Sequence, residues 1–460
     1  MSPEKSRETF ASRLGFIFLS AGCAIGLGNV WRFPFITGKY GGAAFVLLYI
    51  FFLLCFAMPI MVMEFAVGRA SQRSASRSFA VLRPDHKIWS LWGYVAWIGN
   101  YILMMFYTTV TGWMLAYTYY AAAGKLSGLD AKAIGDTFGG LLASPYELVF
   151  WMALSVVIGG CVCWGGLRNG VEKITKYMMG ALLVLMLALA VRALTLEGAE
   201  EGIEFYLKPD FDKLFSEGFG TTVYAALGQA FFTLSLGIGS MAIFGSYIKK
   251  DRSLLGESIL VTGLDTFVAL TAGLIIFPAC FAYGINPNAG PGLIFVTLPN
   301  MFNYMPNGRF WGALFFLFMS FAALSTVIAV FETIVACFMD RLGWPRKKSV
   351  LFMSLTVFIF SIPCALGFNV LSGFQPLGPG SGVLDLEDFI VSNNLLPFGS
   401  VVYLLFCVTR YGWGWDNFIK EADEGKGLKF PKALRAYFTY VVPVIVLIIL
   451  GVGYYQTFAK

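Results

Sequence analysis

The sequence predicts an all-α membrane protein of about eleven transmembrane helices, and three observations carry that prediction. Of 460 residues, 58% are hydrophobic and 13% charged, against about 25% charged in a soluble domain. Mean hydropathy is +0.72. The apolar residues also fall into long runs separated by polar or Gly/Pro punctuation, most of them near or above the roughly 20 residues that cross a bilayer.

Taken in order, these runs place helices at 12–37, 40–71, 88–123, 144–163, 172–195, 219–247, 252–283, 308–341, 345–369, 384–411 and 430–457. Runs longer than the minimum imply tilting or extension beyond the hydrocarbon. Residues 288–306 (NAGPGLIFVTLPNMFNYMP) are apolar but broken by Pro and Gly. They read as a re-entrant or lid-like loop, because irregular backbone at membrane depth must be covered by protein.

Loop charge gives the orientation. Lys5, Arg7 and Arg13, then Arg69, Arg73, Arg77, Arg83 and Lys87, then Arg168, Lys173 and Lys176, then Lys249, Lys250 and Arg252, then Arg341, Arg346, Lys347 and Lys348, and finally Lys420, Lys426, Lys429 and Lys432 all fall on one side. The positive-inside rule makes that side cytoplasmic and, with eleven spans, puts Lys460 outside. Opposite loops are neutral or acidic, notably Glu197, Glu200, Glu201, Glu204, Asp210, Asp212 and Glu217. No Asn-X-Ser/Thr sequon marks an outer loop, which favours a prokaryotic source and its plasma (inner) membrane. The polar start MSPEKSRETFASR leads into an apolar run without a small-residue cleavage site, so no removable signal peptide is expected.

Several function classes drop out. The net charge of +6 is small and dispersed, which argues against nucleic-acid binding. Eight cysteines lie within or beside apolar runs, where they act as small hydrophobes, not as a disulfide framework or metal site. The one histidine, His86, sits in a polar loop, which removes His-based triads and multi-His metal centres. No organic cofactor is expected.

Two spans are interrupted. The first carries Ala21-Gly22-Cys23-Ala24-Ile25-Gly26-Leu27-Gly28-Asn29 at mid-membrane, and the sixth carries Thr233-Leu234-Ser235-Leu236-Gly237-Ile238-Gly239-Ser240. Breaks at corresponding positions of two five-helix halves are the sequence pointer to an inverted-repeat transporter. The alternative is close helix packing through small residues. The first repeat then covers about 12–195, the second about 219–411, with an extra helix at about 430–457, the whole of 1–460 forming one transmembrane domain. Unwound carbonyls suit a small monovalent cation, and free N–H groups at a half-helix N-terminus attract a carboxylate, so a zwitterion beside Na⁺ fits both. Ionisable residues inside spans are costly and face cavities or partners. Here they are Arg32, Glu64, Asp265 and Glu332. Asp265 is a cation-site candidate, or else forms a helix-to-helix hydrogen bond.

Arg13-Leu14-Gly15, the run Gly26-Leu27-Gly28-Asn29-Val30-Trp31-Arg32-Phe33-Pro34, Gly41-Gly42-Ala43-Ala44-Phe45, Glu64 and Gly68-Arg69 together resemble the opening of the neurotransmitter:sodium symporter family, in particular its bacterial amino-acid transporters. The resemblance continues through Gln229-Ala230-Phe231-Phe232-Thr233-Leu234-Ser235-Leu236-Gly237 and Ala322-Ala323-Leu324-Ser325-Thr326 and covers nearly the whole chain. A group of bacterial members has eleven spans.

That resemblance implies a sodium-coupled symporter of L-amino acids working by alternating access, with two sodium ions. The first would meet the Ala24 carbonyl, Asn29, Thr233, Asp265 and the substrate carboxylate. The second would meet the Gly22, Ile25 and Ala322 carbonyls with the Ser325 and Thr326 hydroxyls. Both are all-oxygen sets of the kind hard cations prefer. The substrate carboxylate would meet the Leu27 and Gly28 amides and the Tyr107 hydroxyl, and its amine the Ala24, Phe232 and Thr233 carbonyls and the Ser235 hydroxyl. Leu103, Phe232, Ile238, Thr326 and Val330 would line the side-chain pocket. Gly26 stands where monoamine transporters of the family carry Asp, which leaves room for a substrate carboxylate. With no charged residue facing that pocket, a hydrophobic amino acid, aliphatic or aromatic, is favoured. Arg32 with Asp388 (or Glu387), Tyr107 and Phe232 would close the outer side, and Arg7, Ser246, Tyr247 and Asp340 the inner one, unless these are static surface pairs. Glu64 resembles an acidic residue that the family uses near the first break, which implies structural support, and Glu332 carries a gating or proton-linked suggestion. A monomer suffices for this set of residues.

A membrane sensor that binds without transporting, or a symporter of another small solute on the same fold, stays open on these grounds. Asp265 stands where many members carry Asn, and Ala269, one turn on, where some chloride-independent bacterial members carry Glu. A fixed carboxylate offsets sodium charge as chloride does near the equivalents of Tyr49, Gln229 and Thr233 in other members. Sodium-driven uptake is therefore expected to be equal in chloride and in gluconate. A strict chloride requirement in that comparison would overturn the reading.

Overall fold

The computed structural model describes residues 8–216, 218–284 and 292–458. Its main helices are α1 Arg13–Ala24, α2 Gly28–Lys39, α3 Ala43–Ser71, α4 Lys87–Ala122, α5 Pro145–Trp164, α6 Leu167–Leu194, α7 Phe219–Thr233, α8 Ser240–Gly245, α9 Leu254–Ala282, α10 at 293–304, α11 Gly308–Leu342, α12 Arg346–Leu366, α13 Val383–Val408, α14 Trp415–Ala422 and α15 Lys432–Tyr455. Among the described residues there is no β-sheet, only an isolated bridge between Arg252 and Lys426.

Both expected interruptions are present. α1 and α2 meet at 52° across a short break, and α7 and α8 are separated by residues 234–239. These pairs open the two five-span halves of an inverted-repeat fold. Eight helices are long and apolar enough to cross a membrane, or nine with α1–α2 taken as one span. The other two of the eleven expected spans are α4 and α7–α8. Many Trp, Tyr and Thr lower the hydropathy of α4, and neither piece of α7–α8 is long enough alone.

Burial ranks the helices from centre to rim. In its most apolar stretch α11 is 83% buried, whereas α15 is 28% and α6 33% buried, so α11 is the post around which α1, α4, α5 and α6 pack. α8 lies directly on α3. A Cβ on Gly68 would run into the Ala242 backbone, and one on Gly245 would come within 2.8 Å of the Phe65 Cα. Two backbones meet there through paired glycines, as small residues permit between membrane helices.

Four stretches read from the sequence as connections contain helices: Ala75–Leu82, Ala131–Ala143, Ala199–Leu207 with Phe211–Ser216, and α14. Their ends carry local stops that a hydropathy reading overlooks. Asp130 accepts from the Ala133 N–H at 2.8 Å, an N-cap, and Gly198 enters its helix with φ of 83°, a left-handed value that glycine adopts freely. Of the re-entrant stretch, 288–291 lie outside the described residues, and 293–304 form the short helix α10. Its Phe295 sits in a box of rings: Phe138 at 4.6 Å, Tyr117 at 5.0 Å, Trp113 at 5.7 Å, Trp31 at 6.1 Å and Phe316 at 6.5 Å between centroids.

At the basic end of the bundle a strap holds α3 to the segment after α13. The guanidinium of Arg69, fully buried, donates to Glu421 Oε1 at 2.6 Å and to the Arg252 carbonyl at 2.7 Å, and also to the Glu421 carbonyl. Lys250 reaches Glu421 at 2.9 Å and Glu424 at 3.0 Å, and its hydrogen bond holds the Glu424 carboxyl below the usual range. Breaking a buried pair by removing one partner costs about 3–5 kcal/mol, because the other charge is left uncompensated. Glu421→Ala is therefore expected to lower the melting temperature of the purified protein clearly, whereas Glu424→Ala, a half-exposed pair worth about 0–1 kcal/mol, leaves it nearly unchanged. Equal shifts would show that the buried pair is not the tie.

Candidate functional site

The two breaks face each other in the buried centre, and each frees backbone groups that water cannot reach. At the first, the Gly26 N–H donates to Asn29 Oδ1 at 3.1 Å and the Leu27 N–H to the Tyr107 hydroxyl at 3.0 Å. Gln229 Nε2 donates to the Gly28 carbonyl at 3.0 Å. At the second, Ser235, Gly237 and Gly239 all take positive φ, of 51°, 95° and 79°. Side chains of α3 and α4 hold it: the Gly237 N–H donates to Glu64 Oε1, Trp92 Nε1 donates to the Gly237 carbonyl at 3.1 Å, and Asn100 Nδ2 to the Ile238 carbonyl at 2.8 Å.

Asn29, Thr233 and Asp265, fully buried, form one oxygen-rich cluster. Asn29 Nδ2 lies 2.8 Å from Asp265 Oδ1, 3.1 Å from the Asp265 carbonyl and 3.1 Å from Thr233 Oγ1. The Thr233 hydroxyl donates to Asp265 Oδ2 at 3.0 Å. Among the described residues no basic side chain is paired with Asp265. A carboxylate buried among neutral donors is stabilised by a bound cation, and oxygen donors of this kind fit a hard one.

A second oxygen cluster joins α1 to α11. Ser325 Oγ donates to the Ile25 carbonyl at 3.3 Å and the Ala322 carbonyl at 2.9 Å. Thr326 Oγ1 stands 3.4 Å from the Gly22 and Ile25 carbonyls and 3.5 Å from that of Cys23. The Ser235 hydroxyl reaches the Cys23 carbonyl at 3.2 Å, which ties the two breaks together. Ala24, Leu27, Gly28, Leu103, Tyr107, Ile238, Thr326 and Val330 are buried around this centre, and Phe232 is half-buried. Its ring lies against Gly28, where a Cβ would come within 2.7 Å. A Cβ on Gly26 would stand 2.6 Å from Thr326 Oγ1 and would also meet the Tyr107 hydroxyl.

Not every expected gate pair is made. The guanidinium of Arg32 stacks over the Phe232 ring at 4.5 Å, a cation–π contact. Among the described residues it has no ion pair with Asp388 or Glu387. Asp388 instead accepts from Ser392, one turn along its own helix, at 2.5 Å, and Glu387 is buried beside Cys364. On the opposite side, Arg7 lies outside the described residues. Asp340 accepts the Ser74 N–H at 2.5 Å, and the Ser246 hydroxyl turns back to the Ile243 carbonyl at 2.6 Å. Tyr247 donates to Glu332 at 2.8 Å, and Glu332 is ion-paired with Arg346. The sequence marks Glu332 as a costly buried acid, but Arg346 reads there only as loop charge. Glu64 gives its structural support at the sixth-span break, through the Gly237 N–H. Asn100 and Trp92 go unread because neither is ionisable and both lie in an ordinary helical run.

The profile of the sodium:neurotransmitter symporter family matches residues 7–132 and 140–459. The chain is 36% identical over 411 residues to the uncharacterized sodium-dependent transporter YhdH of Bacillus subtilis, covering 88% of each chain. It is 32% identical over 458 residues to an uncharacterized sodium-dependent transporter of Haemophilus influenzae, covering 97% of this chain and 98% of the other. The fold matches the crystal structure of MhsT in complex with L-phenylalanine, with a TM-score of 0.87, 37% identity, and coverage of 97% of this chain and 99% of that one.

An unpaired buried N–H costs about 1–3 kcal/mol. Glu64→Ala, which strands the Gly237 amide, should therefore lower the melting temperature, while Glu64→Gln, which keeps an acceptor in place, should retain most of it. Scanning fluorimetry of the two variants separates these, and equal losses would mean that the charge of Glu64, not its bond to Gly237, is what counts.

Proposed function

The chain belongs to the sodium:neurotransmitter symporter family, and from that premise we propose that it imports hydrophobic L-amino acids with sodium, by alternating access and without chloride. It is a sodium-dependent, multi-pass membrane transporter. The observation that carries the finer reading is the unpaired Asp265 carboxylate, bonded to Asn29 and Thr233 at the first break and beside a pocket with no charged side chain.

In this reading one Na⁺ binds between the Ala24 carbonyl, Asn29, Thr233, Asp265 and the substrate carboxylate. A second binds the Gly22, Ile25 and Ala322 carbonyls with Ser325 and Thr326. Coupling follows from electrostatics. Without the first ion, closing the site buries an uncompensated carboxylate, and with it the charge is matched. The substrate carboxylate takes the Leu27 and Gly28 amides and the Tyr107 hydroxyl, replacing the Tyr107–Leu27 bond. Its amine meets the Ala24, Phe232 and Thr233 carbonyls and the Ser235 hydroxyl. Crowding at Gly26 by Tyr107 and Thr326 supports a substrate that brings its own carboxylate, since an acidic side chain has no room there. Leu103, Phe232, Ile238, Thr326 and Val330 receive the side chain, and the likeness to MhsT, solved with L-phenylalanine, supports an aromatic or aliphatic one.

Chloride independence has support beyond the Asp265 charge. Gln229 gives its amide N–H to the Gly28 carbonyl, and its Oε1 has no hydrogen-bond partner. An unpaired acceptor repels an anion. Arg32 over Phe232 and the Phe295 plug would close the outer side, and Asp340 with the Tyr247–Glu332–Arg346 network the inner one. The basic loops put the N-terminus in the cytoplasm and the C-terminus outside a prokaryotic plasma membrane. One copy supplies every residue named.

Proteoliposomes with an inward sodium gradient should accumulate labelled leucine, phenylalanine or tryptophan, and potassium in place of sodium should abolish accumulation. Asn29→Leu and Thr233→Val are each expected to reduce sodium-dependent uptake more than about tenfold, roughly the 1.4 kcal/mol or more of a lost ion contact. Binding without accumulation would indicate a sensor, and normal uptake by both variants would remove the ion assignment.

A further inference from the structure

Between the Asp265 cluster and the basic face lies a seam that the transport reading leaves unexplained. α1 packs on α9, and the two are tied at both ends. Below, Arg13 Nε donates to Glu257 Oε1 at 3.0 Å and Oε2 at 3.1 Å. Above, Asn29 just past α1 holds Asp265. Ser258, Thr262 and Asp265 stand at i, i+4 and i+7 on α9, so they share a face. Arg13, Ser20 and Ala24 share a face of α1 in the same way. The two ties turn these faces toward each other.

The hydroxyls of Ser20, Ser258 and Thr262 are buried, with exposures of 0%, 0% and 3%, and among the described residues none has a hydrogen-bond partner. Hydroxyls on helices commonly turn back to the carbonyl one turn before, and these three do not, as is also true of Thr37 and Thr175. Thr271 on the same α9 does so, at 2.7 Å from the Phe267 carbonyl, as do Thr108 and Thr111 on α4 at 2.7 Å. None of the three seam hydroxyls bonds the carbonyl one turn before on its own helix, and the ties at both ends place the faces that carry them on the α1–α9 contact. Leaving each unsatisfied costs about 1–3 kcal/mol, and water or a hydrated ion removes that cost. At the foot of the seam a cavity of about 230 Å³ is lined by Phe10, Ser12, Arg13, Phe16, Tyr247 and Glu257. Glu257 adjoins Ser258 in sequence, and Phe16 lies one turn below Ser20.

We propose that Ser20, Ser258 and Thr262 form a hydrated track by which a monovalent cation leaves the Asp265 cluster for the cavity beside Arg13 and Glu257. A carboxylate marks each end, and neutral oxygens that bind weakly fill the roughly 12 Å between them along α9. Conduction needs such sites, attractive enough to enter and weak enough to leave. Phe16 and the Arg13–Glu257 pair close the lower end.

The inference rests on the sodium reading of Asp265, and its test separates the two. In proteoliposomes, Thr262→Val and Ser258→Ala should reduce the maximal rate of sodium-driven uptake about tenfold while the sodium concentration for half-maximal substrate binding stays within about twofold, a kcat effect without a binding effect. Thr262→Ser should restore the rate. An unchanged rate with equal or higher melting temperature would mean a dry seam, and a parallel shift in sodium affinity would mean that these groups belong to the ion site. Either overturns the track. Absence of sodium-dependent binding in the unmodified protein would instead sink the transport reading. Should the variants fold poorly, a crystal structure of the unmodified protein decides: ordered water between the three hydroxyls supports the track, and direct apolar contact refutes it.

Discussion

Backbone inside a bilayer has no water to turn to, so every exposed amide and carbonyl must find a partner within the protein. The rest of this structure answers that constraint. Two helices are interrupted at mid-membrane, and the groups they release are taken up by side chains from α3, α4, α7 and α11. Tyr107, Glu64, Asn100, Trp92, Ser325 and Thr326 each bond a specific backbone atom at a break. The same bonds that make the interruptions affordable also aim the remaining carbonyls and amides at one small volume.

Much of this was legible in residue order. Glycine runs at mid-span announce the breaks, because no lipid-facing helix gains from them, and Asp265 stands out as a costly buried acid. What residue order conceals is which neutral side chain catches which freed atom. Asn100 and Trp92 sit in an unbroken helical run, and only the crossing of α4 with the second break gives them a role. Arg32 and Asp388 show the converse error. Opposite charges invite pairing on paper, but Ser392 lies one turn from Asp388 on its own helix, and Phe232 lies beneath Arg32. Local geometry wins where the Coulomb gain of a partly exposed pair is small. Glu64 fell to the second break because Gly68 and Gly245 bring α3 and α8 into backbone contact, a tertiary fact that a linear reading does not contain.

Charge is distributed with the same economy. Four ionisable residues inside the spans were visible from the start, and the structure gives each a distinct setting. Glu332 is ion-paired with Arg346, Glu64 accepts a backbone N–H, Arg32 lies over a ring, and Asp265 accepts from Asn29 and Thr233. Of these four, only Asp265 is grouped with Asn29 and Thr233, whose oxygens can share an ion with it. That asymmetry distinguishes a residue that stabilises the fold from one able to couple it to a gradient.

The ring box around Phe295 has a thermodynamic corollary. Trp31, the α4 pair Trp113 and Tyr117, Phe138 and Phe316 come from four separate elements, so drawing Phe295 out exposes aromatic surface on several of them at once. Burial of such surface lowers heat capacity and weakens on cooling. The outer closure therefore carries its own temperature dependence, independent of ions or substrate. In the proposed cycle, cooling then favours an open outer face, and the transporter's poise becomes a property of its habitat as well as of its ligands.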